Sequence, residues 1–168
     1  MNYSGIKYTD MINGKGIRVS LFVSGCNHYC KGCFNKDTWD ENYGSPFTSK
    51  EENEIFQYFK KYENSLKGLS ILGGDPTYPS NIDPLIEFIQ KFRALFPKKD
   101  IWMWSGYTWE EINTDPKTLE LISLCDVLID GKFILELKDL TLKWRGSKNQ
   151  RVIDVKKSLI SNTLVNYI

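Results

Sequence analysis

Three cysteines lie within eight consecutive residues, in the sequence Cys26-Asn-His-Tyr-Cys30-Lys-Gly-Cys33. Thiolates hold iron in iron–sulfur clusters, and a [4Fe-4S] cubane presents four iron corners. Three cysteines on one short loop can reach three corners, which leaves the fourth iron without a protein ligand. An open coordination position is what a catalytic metal site needs and a structural site lacks. The spacing therefore predicts a cluster held by Cys26, Cys30 and Cys33.

A zinc site is the alternative for these residues, with His28 as the fourth ligand. Structural zinc sites usually take two close pairs of ligands from separated segments, because tetrahedral geometry is awkward for four ligands on one tight loop. Iron is therefore favoured. His28, the only histidine, could instead hydrogen-bond near the cluster or contact a partner. The fourth cysteine, Cys125, stands at the head of an apolar run, which is more typical of a small core residue than of a ligand.

Other motifs could bind a polar small molecule. In Gly73-Gly74-Asp75-Pro76, glycine lets a ligand approach the main chain closely, and a turn after a strand exposes carbonyls for an ammonium group. In Asp130-Gly131-Lys132, the lysine can pair with a carboxylate and the aspartate can accept a ribose hydroxyl. Ser105-Gly106-Tyr107 is a weaker candidate for the same pocket. The polar segment 145–151 is either a solvated loop or a site for substrate or partner.

Apolar runs and capping signals predict the elements that must position these motifs. Strands are predicted at Ile17–Ser24, Leu69–Leu72, Ile101–Trp104, Asp126–Asp130 and Arg151–Asp154. A capping box of Thr48 and Glu51 predicts a helix that runs to about Asn64. Asp83-Pro84 predicts the start of a second helix, and a third lies around Pro116 to Leu124.

Strands that alternate with helices imply right-handed βαβ crossovers and a parallel sheet, whose ligands bind beyond the carboxyl ends of the strands. The cysteines and the three glycine-containing motifs each follow a predicted strand, so four segments should converge on one edge. We therefore predict an α/β fold: a partial, open βα barrel with a mostly parallel sheet. A single domain is expected over residues 1–168, with a cluster loop at 25–39.

The composition is that of an ordinary globular protein. The 168 residues are 41% hydrophobic and 26% charged, with a formal net charge of +1, so nothing suggests a nucleic-acid binder. The N-terminus lacks the apolar core of a secretory signal, and no stretch approaches the roughly 20 apolar residues of a membrane span. We expect a cytoplasmic protein, and three clustered cysteines in a reducing compartment indicate metal or redox chemistry.

The C-x3-C-x2-C spacing resembles the signature of the radical S-adenosylmethionine (SAM) superfamily, and Gly73-Gly74-Asp75 resembles that superfamily's GGE motif with Asp in place of Glu. The resemblance implies that SAM chelates the open iron and that an electron from the cluster splits SAM into methionine and a 5′-deoxyadenosyl radical. It also implies that the SAM contacts are Gly32, Cys33, Phe34, Gly73, Gly74, Asp75, Asp130, Gly131 and Lys132.

The residues before and around the three cysteines resemble motifs of the glycyl-radical activating enzymes. Gly14-x-Gly16-x-Arg18 looks like their approach to the cluster, although Lys15 stands where many relatives carry Pro. The pattern C-x-H-x-C-x-G-C-F-N at 26–35 and the pair Thr38-Trp39 resemble the activators of anaerobic ribonucleoside-triphosphate reductase. That resemblance implies that the radical takes a hydrogen atom from a glycine of the large reductase subunit, with a flavodoxin-like protein as the electron donor.

Two other functions remain open at this point. One is a different radical SAM enzyme, either a pyruvate formate-lyase-type activase or a small-metabolite enzyme. Pyruvate formate-lyase activases usually carry an aromatic residue where this chain has Gly32. The other is a non-catalytic zinc or iron–sulfur interaction module, which would bind metal but would not cleave SAM.

Overall fold

The computed structural model of the protein describes residues 1–168 and contains seven strands and five α-helices. The strands are β1 (Asn2–Asp10), β2 (Arg18–Val23), β3 (Ser45–Pro46), β4 (Gly68–Gly73), β5 (Asp100–Trp104), β6 (Val127–Asp130) and β7 (Arg151–Asp154). The helices are α1 (Ser49–Lys61), α2 (Pro79–Leu95), α3 (Trp109–Ile112), α4 (Pro116–Ser123) and α5 (Val155–Ser161).

All seven strands form one sheet in the order β3-β1-β2-β4-β5-β6-β7. The four central strands, β2, β4, β5 and β6, run parallel, as the alternation of strands and helices predicts. The outer strands pair antiparallel. β7 occupies the predicted residues but runs against β6, because the chain between them contains no α-helix that would carry it back to the other end of the sheet.

Side chains of the central strands alternate between two faces of the sheet. One face packs against the helices in a core of 26 buried residues, with Leu21, Ile71, Met103 and Leu128 fully buried at its strands. Each such side chain contributes roughly 1.5–3 kcal/mol on burial. The opposite face carries a smaller apolar cluster of Trp102, Val127, Ile129 and Val152. Loop residues rather than helices cover this second face, among them Trp144 and Tyr167.

The helix boundaries confirm one capping prediction and correct another. Thr48 and Glu51 form the predicted capping box at the start of α1, with the Thr48 N–H donating to Glu51 Oε2 at 2.8 Å. The predicted start at Asp83-Pro84 is wrong, because α2 begins at Pro79 and contains Pro84. Pro79 occupies the first helical position, where the missing N–H has no intrahelical partner to lose. None of the helices combines the length and apolar character that crossing a membrane would require.

Candidate functional site

The carboxyl ends of the parallel strands meet at one edge of the sheet, and a cavity of about 480 Å³ opens there. Its wall includes the three cysteines of the cluster loop, Gly73 and Gly74 at the end of β4, Gly106 after β5, and Gly131 after β6. Four segments that are distant in sequence are thus brought together, as expected. The volume lies in the range of small-molecule and cofactor sites.

The three cysteines carry free thiols that line this cavity. Cys26 is buried, and Cys30 and Cys33 are half-buried. Burial raises the pKa of Cys26 to about 11 and also raises the pKa of Cys30. The protein alone therefore holds both thiols neutral near pH 7, and metal binding must release their protons. Three free thiols that face one cavity from a single loop fit the donor set of an iron–sulfur cluster.

His28 forms a hydrogen bond with Asp75 in the folded protein. Its side chain is only 4% exposed, and its Nε2 donates to the Asp75 carboxylate at 2.6 Å. No group of three or more His, Cys, Asp or Glu side chains is arranged to hold a single metal ion. A cubane makes no such demand, since each iron corner needs only one thiolate. Cys125 lies fully buried in the core, as predicted for a lone cysteine, and burial raises its pKa to about 12.

Main-chain hydrogen bonds fix the cluster loop against the strand ends. The Gly25 N–H donates to the Thr38 carbonyl at 2.8 Å, and the Cys26 N–H donates to the Trp39 carbonyl at 3.2 Å, so the two ends of the loop are joined. The Asp75 N–H donates to the Gly25 carbonyl at 2.7 Å. These bonds set the position of the loop relative to the turn after β4.

Gly74 is required by the close approach of the cluster loop. A Cβ atom at this position would lie 2.5 Å from the Gly25 carbonyl oxygen and 2.8 Å from that of Thr38. Both contacts are to backbone atoms, which cannot rotate away as a side chain would. Glycine therefore serves two purposes here: it allows the cluster loop to pack on the turn, and it leaves main-chain atoms exposed to the cavity.

The Asp75 carboxylate is buried and joins the surrounding segments through hydrogen bonds. Oδ2 accepts hydrogen bonds from His28 Nε2, from the Gly106 N–H at 2.9 Å and from Ser105 Oγ at 3.2 Å. Oδ1 accepts bonds from the Thr77 N–H and Oγ1 at 2.8 and 2.7 Å. Asp75 is only 1% exposed and does not line the cavity. Its side chain links the cluster loop to the turn after β5.

The His28 ring packs tightly in this arrangement. It lies edge-on to Tyr107, with ring centroids 4.5 Å apart. A Cβ at Gly106 would lie 2.4 Å from His28 Cδ2, so this glycine accommodates the imidazole. His28 therefore joins the cluster loop to the turn after β5 through Asp75. This contact agrees with the expectation that His28 forms a hydrogen bond close to the cysteines.

The motif at 130–132 contributes its glycine to the cavity wall but not its charged side chains. Asp130 is fully buried, and its carboxylate accepts bonds from the Trp109 N–H at 2.7 Å and from Arg151 Nε at 3.1 Å. Hydrogen bonds to Asp130 and Glu110 raise the pKa of Arg151 above its usual value. Lys132 is exposed and, like Asp130, does not line the cavity.

Two further predicted SAM contacts, Phe34 and Gly32, lie on the solvent-facing side of the cluster loop. Phe34 lines the cavity yet is 77% exposed, and its ring lies under the Lys138 ammonium at 5.1 Å from the centroid. Gly32 adopts a left-handed φ of +76° and lies against Leu135 without lining the cavity. Of the nine predicted SAM contacts, the residues on the cavity wall are Cys33, Phe34, Gly73, Gly74 and Gly131.

Arg18 lies at the start of β2, while the cluster loop follows the end of that strand. Its side chain is fully buried and bridges neighbouring strands, with Nη1 2.6 Å from Asp100 Oδ1 and Nε donating to Ser70 Oγ at 2.7 Å. The guanidinium also lies 5.2 Å from the centroid of the Trp102 ring. Arg18 of the Gly14-x-Gly16-x-Arg18 motif therefore joins the amino-terminal parts of β2, β4 and β5.

The segment 145–151 belongs to the cavity and is not a free solvated loop. Arg145, Gly146 and Gln150 line the cavity. Gln150 Oε1 accepts from the Gly146 N–H at 2.8 Å, and Gln150 Nε2 donates to the Gly131 carbonyl at 2.9 Å. These bonds attach the segment to the turn after β6. In the sequence only the polarity of segment 145–151 marked it as a possible site, because its contact with Gly131 forms only in the folded protein.

The chain is similar to characterised proteins over most of its length. Residues 12–153 match the family described as the 4Fe-4S single cluster domain. The anaerobic ribonucleoside-triphosphate reductase-activating protein of Escherichia coli (strain K12) is 45% identical over 152 residues, which is 90% of this chain and 97% of that protein. The protein of the same name from Pasteurella multocida is 44% identical over 150 residues, which is 89% of this chain and 95% of that protein. The protein of that name from Enterobacteria phage T4 is 43% identical over 152 residues, which is 90% of this chain and 93% of that protein.

Proposed function

The chain belongs to the family of anaerobic ribonucleoside-triphosphate reductase-activating proteins and contains a 4Fe-4S cluster domain, and we propose that it is a radical SAM activase. Its substrate is SAM, and its protein partner is the large subunit of the anaerobic reductase. The observation that carries this proposal is the shared cavity: three free thiols on one loop face the same space as the backbone of Gly73 and Gly74.

Cys26, Cys30 and Cys33 are the proposed ligands of the cluster. When bound, the cluster supplies the electron that splits SAM into methionine and a 5′-deoxyadenosyl radical, which takes a hydrogen atom from a glycine of the reductase. The chain's own part is to hold the reactants and exclude water. We assign the main chain at Gly73 and Gly74 to the SAM amino group, with Asp75 and His28 fixing that turn against the cluster loop.

Exposed apolar side chains at the mouth of the cavity support docking of a protein loop. Ile12, Phe34 and Leu140 line the cavity and are 75%, 77% and 85% exposed. Apolar groups gathered on a surface mark interaction sites more often than isolated ones do. We propose that the glycine-bearing loop of the reductase enters here, and that a flavodoxin-like protein supplies the electron.

The helices on one face of the sheet suit an open barrel. All the helices pack on the core side and loop residues cover the opposite face, which supports a sheet that curves around a ligand on that side. We propose that the chain forms one activase domain over residues 1–168, an open βα barrel of the radical SAM type with the cluster loop at 25–39.

Cleavage of SAM tests the enzymatic part of the proposal. The protein is reconstituted anaerobically with iron and sulfide and reduced with dithionite, SAM is added, and methionine and 5′-deoxyadenosine are quantified. We expect both products from the wild type and from Cys125→Ala, which removes a cysteine from the core, and neither product from Cys30→Ala. A Cys30→Ala variant that cleaves SAM as well as the wild type does would refute the assigned ligands.

A further inference from the structure

Positive charge is concentrated in two segments of the chain, one of which carries the three cysteines. The segment that follows β6, residues 131–148, contains five basic and two acidic side chains, and the cluster loop 25–39 contains two basic and one acidic. Together the two segments carry a formal charge of +4, whereas the whole chain carries +1 and its remaining residues therefore −3. The two segments are thus basic in a chain that is otherwise acidic.

Apolar contacts bring these two segments together on the outer side of the cluster loop. A Cβ at Gly32 would lie 3.0 Å from the Leu135 side chain. The rings of Phe34 and Phe133 lie 6.2 Å apart between their centroids. The exposed side chains that flank these contacts therefore belong to one surface.

Two lysines stand on this surface. Lys31 directly follows Cys30, and its side chain is 80% exposed. Lys138 Nζ lies 5.1 Å from the centroid of the Phe34 ring, which is itself largely exposed. Glu136 Oε1 lies 3.9 Å from Lys31 Nζ, and an ion pair that exposed is weak. The surface therefore has an apolar centre with uncompensated positive charge beside it.

This side of the loop also offers an approach to the proposed cluster ligands. Cys26 is buried, whereas Cys30 and Cys33 are half-buried. Lys31 and Phe34 are the exposed neighbours of these two cysteines in the sequence. The rate of electron transfer falls steeply with distance, so a protein that reduces the cluster must dock where the ligands come nearest to solvent.

We propose that an acidic electron-donor protein docks on this surface, which we call the lysine surface and define by Lys31, Phe34 and Lys138; the inference rests on the proposed function. One electron passes from the donor's reduced flavin to the oxidised cluster, and the flavin hydroquinone, which also loses a proton, becomes the semiquinone. Complementary charge speeds the encounter, and electron-transfer complexes need only a small contact area. Phe34 also lies on the rim assigned to the reductase loop, so the donor leaves before that loop enters.

The rate of cluster reduction tests the lysine surface. The reconstituted full-length protein, with its cluster oxidised, is mixed anaerobically with an excess of an acidic flavodoxin in its hydroquinone form, and semiquinone formation is followed by stopped-flow absorbance. We expect Lys31→Glu combined with Lys138→Glu to lower the second-order rate constant about tenfold or more at low ionic strength. The difference should shrink to about twofold at high ionic strength, where the charges are screened.

Two controls separate docking from damage to the cluster. Lys67→Glu combined with Lys98→Glu reverses the same amount of charge at exposed positions before β4 and β5, at the opposite edge of the sheet, and should change the rate by less than about twofold. Photoreduced 5-deazaflavin, a small reductant that needs no docking surface, should reduce the cluster equally fast in all variants.

Bound iron is measured for each variant. If the charge reversals at the lysine surface prevent iron loading, Lys31→Gln combined with Lys138→Gln replaces them, with an expected loss of about threefold. Equal slowing in the two charge-reversed double variants, or an unchanged rate in both, would overturn the proposal. A cluster that 5-deazaflavin reduces but that cleaves no SAM would instead overturn the proposed function.

Discussion

Asp75 is a buried carboxylate on which three segments of the site depend. It accepts hydrogen bonds from His28 in the cluster loop, from Ser105 and the Gly106 N–H after β5, and from Thr77 in its own turn. Because its side chain is almost fully buried, water cannot replace these bonds. The residue therefore acts on the site through its neighbours and is a positioning residue.

Replacement of Asp75 with alanine should destabilise the protein and impair cluster loading. The variant leaves several buried donors without an acceptor, so we expect the free energy of unfolding to fall by about 2–4 kcal/mol. Urea denaturation measures this loss. The matched control is Asp83→Ala, whose carboxylate is 75% exposed and pairs only with Lys117, and which should cost no more than about 1 kcal/mol. Equal losses in the two variants would contradict the assigned role of Asp75.

Gly74 offers a second test at the residue scale. In Gly74→Ala the new methyl group would overlap the carbonyl oxygens of Gly25 and Thr38, so the cluster loop must shift. We expect a loss of about 1–3 kcal/mol in stability together with reduced iron binding. Gly5→Ala is the control, because a Cβ at Gly5 meets nothing within 4 Å. Normal iron content in Gly74→Ala would show that the close approach is not needed to form the site.

At the scale of elements, Asp126 ties two helices to the sheet at the start of β6. Its carboxylate lies 2.5 Å from Arg93 Nη2 in α2 and 2.5 Å from Lys156 Nζ in α5, and accepts from the Ile101 N–H at 2.8 Å. Burial opposes ionisation of this carboxyl, but the hydrogen bonds from Lys156, Arg93 and Ile101 outweigh it and lower its pKa.

The stabilisation from Asp126 should depend on pH. Because the pKa is lower in the folded state, the contribution is complete above the unfolded-state value of about 3.9 and is lost as the pH falls through the folded-state value. We expect Asp126→Asn to cost about 2 kcal/mol at pH 7 in urea denaturation. The difference from wild type should shrink as the pH falls below the unfolded-state value. A difference that stays constant into acid would contradict this interpretation.

Elements with strong local signals were predicted, and those that depend on distant partners were not. The central strands are rich in apolar and β-branched residues because they are buried on both faces. β1 lies near the edge of the sheet, where most of its residues are half-buried or exposed, so no apolar run marked it. Asp83-Pro84 resembles a helix start, but α2 begins one turn earlier at Pro79, which also suits the first helical position.

The candidate site, like the secondary structure, could be predicted from the sequence only where local patterns mark its residues. The cysteines and the glycine-containing turns could be found because spacing and strand ends are visible in the sequence. The pairing of His28 with Asp75 joins residues 47 positions apart, and no local pattern encodes it. The same limit applies to Arg145, which lacks a carboxylate partner, whereas the other three arginines form ion pairs that only the folded structure reveals.

At the scale of the whole molecule, the two faces of the sheet have different tasks. The helices cover one face with the main core, and the cavity and its exposed apolar rim lie outside that core. Met11, beside Ile12 at the rim, is 72% exposed. Ile160 is 87% exposed on α5, which packs on the core side. The two residues are similar in exposure and apolar character but differ in location.

Docking of the reductase should therefore be sensitive to Met11 and not to Ile160. A charge at an apolar interface must be desolvated without a partner, so we expect Met11→Asp to lower the yield of activated reductase about tenfold at limiting activase. SAM cleavage without reductase should be unchanged in both variants. Titration with the large subunit measures the yield. An Ile160→Asp variant as impaired as Met11→Asp would place the docking surface elsewhere.

The central claim is that this chain generates a glycyl radical on its partner. The most direct measurement is electron paramagnetic resonance of the large reductase subunit after anaerobic incubation with the reconstituted, reduced protein and SAM. We predict a glycyl radical that requires SAM and is absent with Cys33→Ser. Cleavage of SAM without any radical on the reductase would contradict the assigned partner, and absence of both from a protein with a full cluster would contradict the account as a whole.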